Sequence, residues 1–139
     1  ELNGKKIPFP FTLNDLGEEY DFNGIYSKDE EDSYFTILMH NDEIIAYAYI
    51  LAENEQEINR DSLVFGIELY CGRKQEFKIK GVNCENKISD IDKVFINLPT
   101  KLNDNGVIYK YSARNNEGRI FDISIDDNEI SIITVKEEK

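Results

Sequence analysis

Three segments in the C-terminal half predict how this chain folds: ISDIDKVFINLP at residues 88–99, GVIYKYS at 106–112, and RIFDISIDDNEISIITV at 119–135. The first predicts a short helix, because Ser89 is a good N-cap, apolar residues recur at helical spacing and Pro99 ends the pattern. The second predicts a strand. The third predicts a hairpin that turns at Asp127 and Asn128, where the flanking residues alternate between apolar and polar.

A two-residue turn also predicts the pairing in this last hairpin. On one face it places Ile125 opposite Ile130, Ile123 opposite Ile132, and Phe121 opposite Thr134. On the other face it pairs Asp122 with Val135, Ser124 with Ile133, and Asp126 with Glu129. One apolar face and one mostly polar face are typical of a half-buried antiparallel sheet.

The first half of the chain repeats this order more weakly. Thr12 predicts the N-cap of a short helix ending at Leu16, with Asp15 completing a capping box. A hairpin follows at residues 34–51, turning at Asn41-Asp42. We therefore predict an α+β fold, an antiparallel sheet with two short helices on one face. Residues 1–139 would form a single α+β domain, with candidate half-repeats at 1–71 and 77–139.

The hairpin at residues 34–51 contains the candidate binding residues. Its predicted pairing places Tyr34 opposite Tyr49, Thr36 opposite Tyr47, and Leu38 opposite Ile45. Tyrosine is enriched where proteins contact partners, but it also lines the edges of cores. Interpreted as a binding face, the site consists of Tyr34, Leu38, Ile45, Tyr47 and Tyr49, and its ligand would be a protein or a glycan.

The charge of the chain restricts its partners. The net charge of −12 argues against nucleic acid and anionic membrane surfaces, both of which attract clustered Lys and Arg. No apolar run approaches the length of a transmembrane helix. Four consecutive acids at residues 29–32 suggest either a calcium site or a solvated loop. EF-hand spacing is missing, which favours the loop.

Two cysteines, Cys71 and Cys84, could form a disulfide or could be unrelated thiols. Together with the single histidine, His40, they are too few for a zinc site. His40 is predicted beside a turn. The sequence has neither G-x-S-x-G nor a glycine-rich phosphate loop. We therefore expect no enzymatic activity, no cofactor and no metal.

The segment LNGKKIPFPFTLNDL at residues 2–16 resembles the opening of a domain in exported Gram-positive lipoproteins of uncharacterised function. Residues 88–135 are similar to the closing helix, strand and hairpin of that domain, whose architecture resembles β-lactamase-inhibitor-protein-like folds. The family usually ends its helix with a Leu-Gly-x-Pro turn, whereas Asn97-Leu98-Pro99 lacks the glycine. The resemblance implies an extracellular or cell-envelope location, with a lipid anchor, and transfers no functional residue.

Three functional hypotheses follow. The first is a non-enzymatic cell-envelope module that binds a protein or glycan through the Tyr-bearing sheet face. The second is an acidic intracellular immunity or inhibitor protein that neutralises a basic partner. The third is a small hydrolase whose acidic site is assembled from distant strands. Because the sequence begins at Glu1 rather than Met, we also expect that an N-terminal segment has been removed.

Overall fold

The computed structural model describes residues 2, 4–71, 84, 100–104, 107–114, 119–126 and 129–137, which build a nine-stranded antiparallel sheet. Its elements in chain order are helix α1 (Leu13–Leu16), strands β1 (Tyr20–Phe22), β2 (Ser27–Glu30), β3 (Ser33–His40) and β4 (Glu43–Leu51), a 3₁₀ turn (Glu55–Glu57), and strands β5 (Val64–Tyr70), β6 (Thr100–Asp104), β7 (Val107–Arg114), β8 (Arg119–Asp126) and β9 (Glu129–Glu137). The strands lie in the order β1-β3-β4-β5-β9-β8-β7-β6, and β2 also pairs with β3.

The predicted α+β class, with two short helices on one face of the sheet, is wrong, because the described residues form a mostly β structure. Helix α1 has four residues and buries only Leu13 and Leu16, so it covers a small part of the sheet rather than forming a layer. The second predicted helix, residues 88–98, lies outside the described residues. Strands β1, β2 and β6 were not predicted, because pairing at a sheet edge uses backbone groups and requires no alternation of apolar side chains.

The predicted start of helix α1 is confirmed. The Asp15 backbone N–H donates to the Thr12 hydroxyl oxygen, and the Thr12 backbone N–H donates to the Asp15 carboxylate at 2.8 Å. This capping box satisfies backbone donors that the first turn of a helix leaves without partners. Gly17 follows the helix with a φ of 129°, a conformation that glycine adopts without a steric penalty.

Three hairpins, β3–β4, β6–β7 and β8–β9, share one irregularity. In β3–β4 the pairs His40–Glu43 and Met39–Ile44 flank the turn, and then one extra residue, Ile45, shifts the register by one. The pairings of β6–β7 and β8–β9 shift at the same distance from their turns. Asn41 and Asp42 have φ values of 47° and 68°, which confirms the predicted tight turn between β3 and β4. Each shift is a β-bulge that moves one residue out of the ladder.

The bulge corrects the predicted pairing of β8 and β9. Next to the turn, Ile125 pairs with Ile130 and Asp126 with Glu129, as predicted. Beyond the bulge, Phe121 pairs with Val135 rather than Thr134, and Ile123 pairs with Ile133 rather than Ile132. The observed register has a clear physical reason, since it buries Val135 and Ile133 instead of leaving two β-branched apolar residues on the polar face.

The hydrophobic core lies on one face of the sheet. Strands β3, β4, β5, β8 and β9 contribute the inward-facing set Leu38, Ala46, Ala48, Ile50, Val64, Ile67, Leu69, Phe121, Ile123, Ile130, Ile133 and Val135. The N-terminal segment covers part of this face with Phe11, Leu13, Leu16 and Tyr20. In the described residues, no helix is long and apolar enough to cross a bilayer. The division into half-repeats stays a prediction.

Cys71, directly after β5, forms a disulfide with Cys84, and their Cα atoms are 5.5 Å apart. We expect the double variant Cys71→Ser/Cys84→Ser to lose about 3 kcal/mol of unfolding free energy, because the cross-link restricts the unfolded chain over a loop of this length. Chemical denaturation measures the loss. Adding a reductant should destabilise the wild type by a similar amount and leave the double variant unchanged. A double variant as stable as the wild type would contradict the prediction.

Candidate binding face

The sheet face opposite the core carries a row of four aromatic side chains, Phe35, Tyr47, Tyr49 and Tyr70, which we call the aromatic face. Phe35 pairs across the strands with Tyr49, and its ring centroid lies 5.0 Å from that of Tyr49. Phe35 also stacks on Tyr47 at 5.3 Å with nearly parallel rings, and Tyr47 meets Tyr70 edge to face at 5.1 Å. The rings therefore form one continuous cluster.

The aromatic face remains partly accessible. Phe35, Tyr47 and Tyr49 are half-buried, and Tyr70 is 36% exposed. In the described part of the chain, helix α1 packs with the core face and not with these rings. A cluster of partly exposed rings on a sheet is uncommon on a surface that contacts only water, and such patches are typical of interaction sites.

The structure separates the residues that the sequence placed together. Tyr47 and Tyr49 lie on the aromatic face, whereas Tyr34, Leu38 and Ile45 are buried, with exposures of 9%, 0% and 7%. The β3–β4 bulge is the reason. Because it shifts the register by one, Tyr34 faces Ile50 and Leu38 faces Ala46, while Ile45 is the bulged residue itself. Three of the predicted binding residues, Tyr34, Leu38 and Ile45, are therefore buried and do not belong to the aromatic face.

A glycine forms the floor of the aromatic face beside Tyr49. Gly66 of β5 lies between Tyr49 of β4 and Lys136 of β9 in the cross-strand pairing. A Cβ atom added to Gly66 would lie 2.8 Å from the Lys136 Cγ and 3.0 Å from the Tyr49 Cδ2. The missing side chain thus lets the Tyr49 ring and the Lys136 stem lie directly over the backbone of β5.

Lys136 and Tyr49 interact closely over this glycine. The Lys136 ammonium nitrogen lies 3.7 Å from the centroid of the Tyr49 ring, a cation–π contact. Burial raises the pKa of the Tyr49 phenol to about 12, and the negative charge of Glu68 adds to this effect. The phenol therefore stays neutral at physiological pH, as a hydrogen-bonding group rather than a nucleophile.

Glu68 lies next to Tyr47 in the same cross-strand row and places a carboxylate beside the rings. The Tyr70 hydroxyl donates to one carboxylate oxygen at 3.0 Å, and the Thr134 hydroxyl donates to the other at 3.3 Å. Two neutral donors thus orient the Glu68 side chain. Two strands further along the row, Asp122 accepts a 2.7 Å hydrogen bond from the Ser112 hydroxyl.

Sequence reasoning missed Phe35, Gly66, Glu68, Tyr70 and Lys136. The alternation within β5 and β9 already placed Glu68 and Tyr70, and likewise Thr134 and Lys136, on common faces. Two features could not be predicted from the sequence: the position of the bulge in each hairpin, and the pairing of β5 with β9. Only that pairing brings residues 66–70 next to residues 132–136.

Other polar clusters in the described residues have structural explanations. The Arg60 guanidinium donates to the backbone carbonyls of Gly17 and Tyr20 at 2.7 Å each, which ties helix α1 and strand β1 to the loop before β5. His40 stacks on Tyr20 with centroids 4.4 Å apart. Asp29 and Glu30, from the acidic stretch, are exposed on β2, and within the described ranges no group of His, Cys, Asp or Glu could hold a metal ion.

Comparisons with protein-family models, curated proteins and solved structures find no match to this chain.

Proposed function

We propose that this protein is a non-enzymatic binding module of the cell envelope and that it recognises another protein through the aromatic face. The observation that carries the proposal is the continuous, partly exposed cluster of Phe35, Tyr47, Tyr49 and Tyr70 on an otherwise well-packed sheet. Aromatic anchors of this kind supply much of the binding energy in protein interfaces, because each ring covers a large area at a small cost in conformational entropy.

A protein fits this face better than a glycan does. One face of the Tyr49 ring is covered by the Lys136 ammonium, and the rings of Phe35 and Tyr47 are stacked on each other. The accessible parts are therefore mainly ring edges and hydroxyl groups rather than flat platforms. A protein surface can contact such edges with its own side chains.

Two observations bear on location and on the second hypothesis. The Cys71–Cys84 disulfide supports an extracellular or cell-envelope location, because disulfides persist in oxidising compartments and are rare in the cytosol. The net charge of −12 is compatible with an acidic inhibitor of a basic partner. The disulfide favours the exported module over an intracellular inhibitor.

The test compares Tyr47→Ala with a matched control, Ile25→Ala. Ile25, in the loop before β2, is 72% exposed and is not one of the four rings, so its replacement removes exposed apolar area outside the ring cluster. We expect both variants to unfold within about 1 kcal/mol of the wild type. Wild type and Ile25→Ala should capture the same protein from an envelope extract, and Tyr47→Ala should lose it.

Treating the extract with enzymes beforehand distinguishes the class of ligand. Protease treatment should abolish capture, whereas glycosidase treatment should leave it unchanged. If Tyr47→Ala instead costs several kcal/mol of unfolding free energy, the ring belongs to the core and the proposal fails. Capture that survives the protease would identify a glycan ligand and would also contradict it.

A further inference from the structure

The aromatic face contains a negative charge that the described residues do not neutralise. Both oxygens of the Glu68 carboxylate accept hydrogen bonds from hydroxyl groups, of Tyr70 and Thr134, which carry no charge. Among the residues whose side chains the structure describes, Glu68 forms no ion pair with Lys, Arg or His. The nearby cation, Lys136, lies over the Tyr49 ring instead.

A second carboxylate extends this charge along the same row. Glu68, Thr134 and Asp122 are consecutive cross-strand neighbours on β5, β9 and β8. Asp122 is half-buried and, like Glu68, accepts its hydrogen bond from a hydroxyl, that of Ser112. The carboxylates of Glu68, Asp29 and Asp122 also help to raise the pKa of Tyr49, which indicates that their negative field reaches the rings.

These charges restrict what can cover the aromatic face. A neutral, apolar partner would remove water from Glu68 without replacing it by a positive charge, and an uncompensated buried carboxylate is costly. A cation on the partner would instead pair with Glu68 while the alkyl stem of its side chain packs against the rings of Tyr47 and Tyr70. The net charge of −12 would also accelerate the encounter with such a partner.

We infer that the segment recognised by the aromatic face is a cationic stretch of the partner protein, with one Lys or Arg side chain placed between Glu68 and the rings of Tyr47 and Tyr70. This inference rests on the proposed function, and it specifies the chemistry of the ligand. Glu68 determines specificity, and the rings supply the contact area. Asp122 provides a second position for a positive charge along the same row.

The experiment selects peptides from a random-sequence displayed library on the full, disulfide-bonded chain. Peptides whose binding is lost in Tyr47→Ala are kept, because their binding depends on the aromatic face. We expect these peptides to be enriched in Lys or Arg at one position. The best peptide is then synthesised in two forms, with Arg and with its neutral isostere citrulline at that position, and the dissociation constants are measured.

A double-mutant cycle separates the Glu68 contact from general attraction to an acidic protein. Glu68→Gln removes the charge but keeps an acceptor for the hydroxyls of Tyr70 and Thr134. Glu57→Gln removes the same charge from the exposed 3₁₀ turn and is the control. We expect Glu68→Gln and the citrulline peptide each to weaken binding about tenfold, without adding to one another, and Glu57→Gln to change it less than about twofold.

The remaining outcomes distinguish a failure of the cationic inference from a failure of the proposed function. Peptides that need Tyr47 but lack Lys and Arg, or that bind Glu68→Gln as tightly as the wild type, overturn the cationic inference and leave the binding face intact. A library that yields only Tyr47-independent peptides overturns both the inference and the proposed function. Even if Glu68→Gln folds poorly, the comparison of Arg and citrulline peptides on the wild-type protein tests whether the ligand needs a cation, and equal dissociation constants would overturn the inference.

Discussion

Replacing Phe121 with alanine is expected to lower the free energy of unfolding by about 3–5 kcal/mol. Phe121 is 2% exposed and lies on the core face of β8, directly opposite Val135. Removing a buried ring loses its transfer free energy and leaves a cavity, because a sheet held by hydrogen bonds on both sides of β8 can relax only partly. Urea denaturation followed by circular dichroism measures the change.

The neighbouring position is the matched control for Phe121. Asp122 is half-buried on the aromatic face, and its carboxylate accepts one hydrogen bond from Ser112. Asp122→Ala should therefore cost less than about 1 kcal/mol, because water can replace the partly exposed hydrogen bond that it loses. If Asp122→Ala were the more damaging of the two substitutions, the assignment of faces in β8 would be inverted.

The second large effect is expected at Leu38, and it tests the bulge in the β3–β4 hairpin. Leu38 has no exposed surface and packs opposite Ala46 on the core face. Leu38→Ala should cost about 4 kcal/mol, within the range measured for fully buried leucines. A hairpin without a bulge predicts a small loss instead, since that pairing places Leu38 on the outer face with Tyr47 and Tyr49.

Ile37 distinguishes the two registers of this hairpin. In the structure Ile37 is half-buried on the aromatic face and pairs with Tyr47, so Ile37→Ala should cost only about 1 kcal/mol. A hairpin without a bulge would instead make Ile37 a core residue. Thermal denaturation of both variants decides between these arrangements, because a larger loss for Ile37→Ala than for Leu38→Ala is incompatible with the observed pairing.

Several local features were predictable because their causes are local. The Thr12 capping box depends on residues three positions apart, and the tight turn at Asn41 and Asp42 depends on residues that tolerate positive φ. The inward direction of Phe121 and Ile123 followed from strict alternation along a single strand. For these features, the short-range chemistry of the chain and the final fold agree.

The fold class was mispredicted because capping signals indicate where a helix starts. They do not indicate how long the helix is or how much of the sheet it covers. Thr12 and Asp15 do begin a helix, but it ends after four residues at Gly17. The edge strand β1 was missed because Tyr20–Phe22 is too short to establish an alternation, and β2 was missed because Ser27–Glu30 is exposed throughout. They are strands because β3 offers them backbone hydrogen bonds, a property of the partner strand rather than of their own side chains.

Three features are predictable from the sequence alone: the tight antiparallel hairpins, the turn positions of two of them, and the side chains of β8 that enter the core. The composition of the aromatic face depends instead on how the strands pair. A bulge costs little locally, so its position depends on the apolar area that the whole sheet buries on both strands. The bulge at Ile45 moved Tyr47 and Tyr49 beside Phe35, and the pairing of β5 with β9 brought Glu68 next to Thr134, from opposite halves of the chain. Local sequence patterns cannot predict that contact, because it forms and contributes to stability only when the two halves of the chain pair in one sheet.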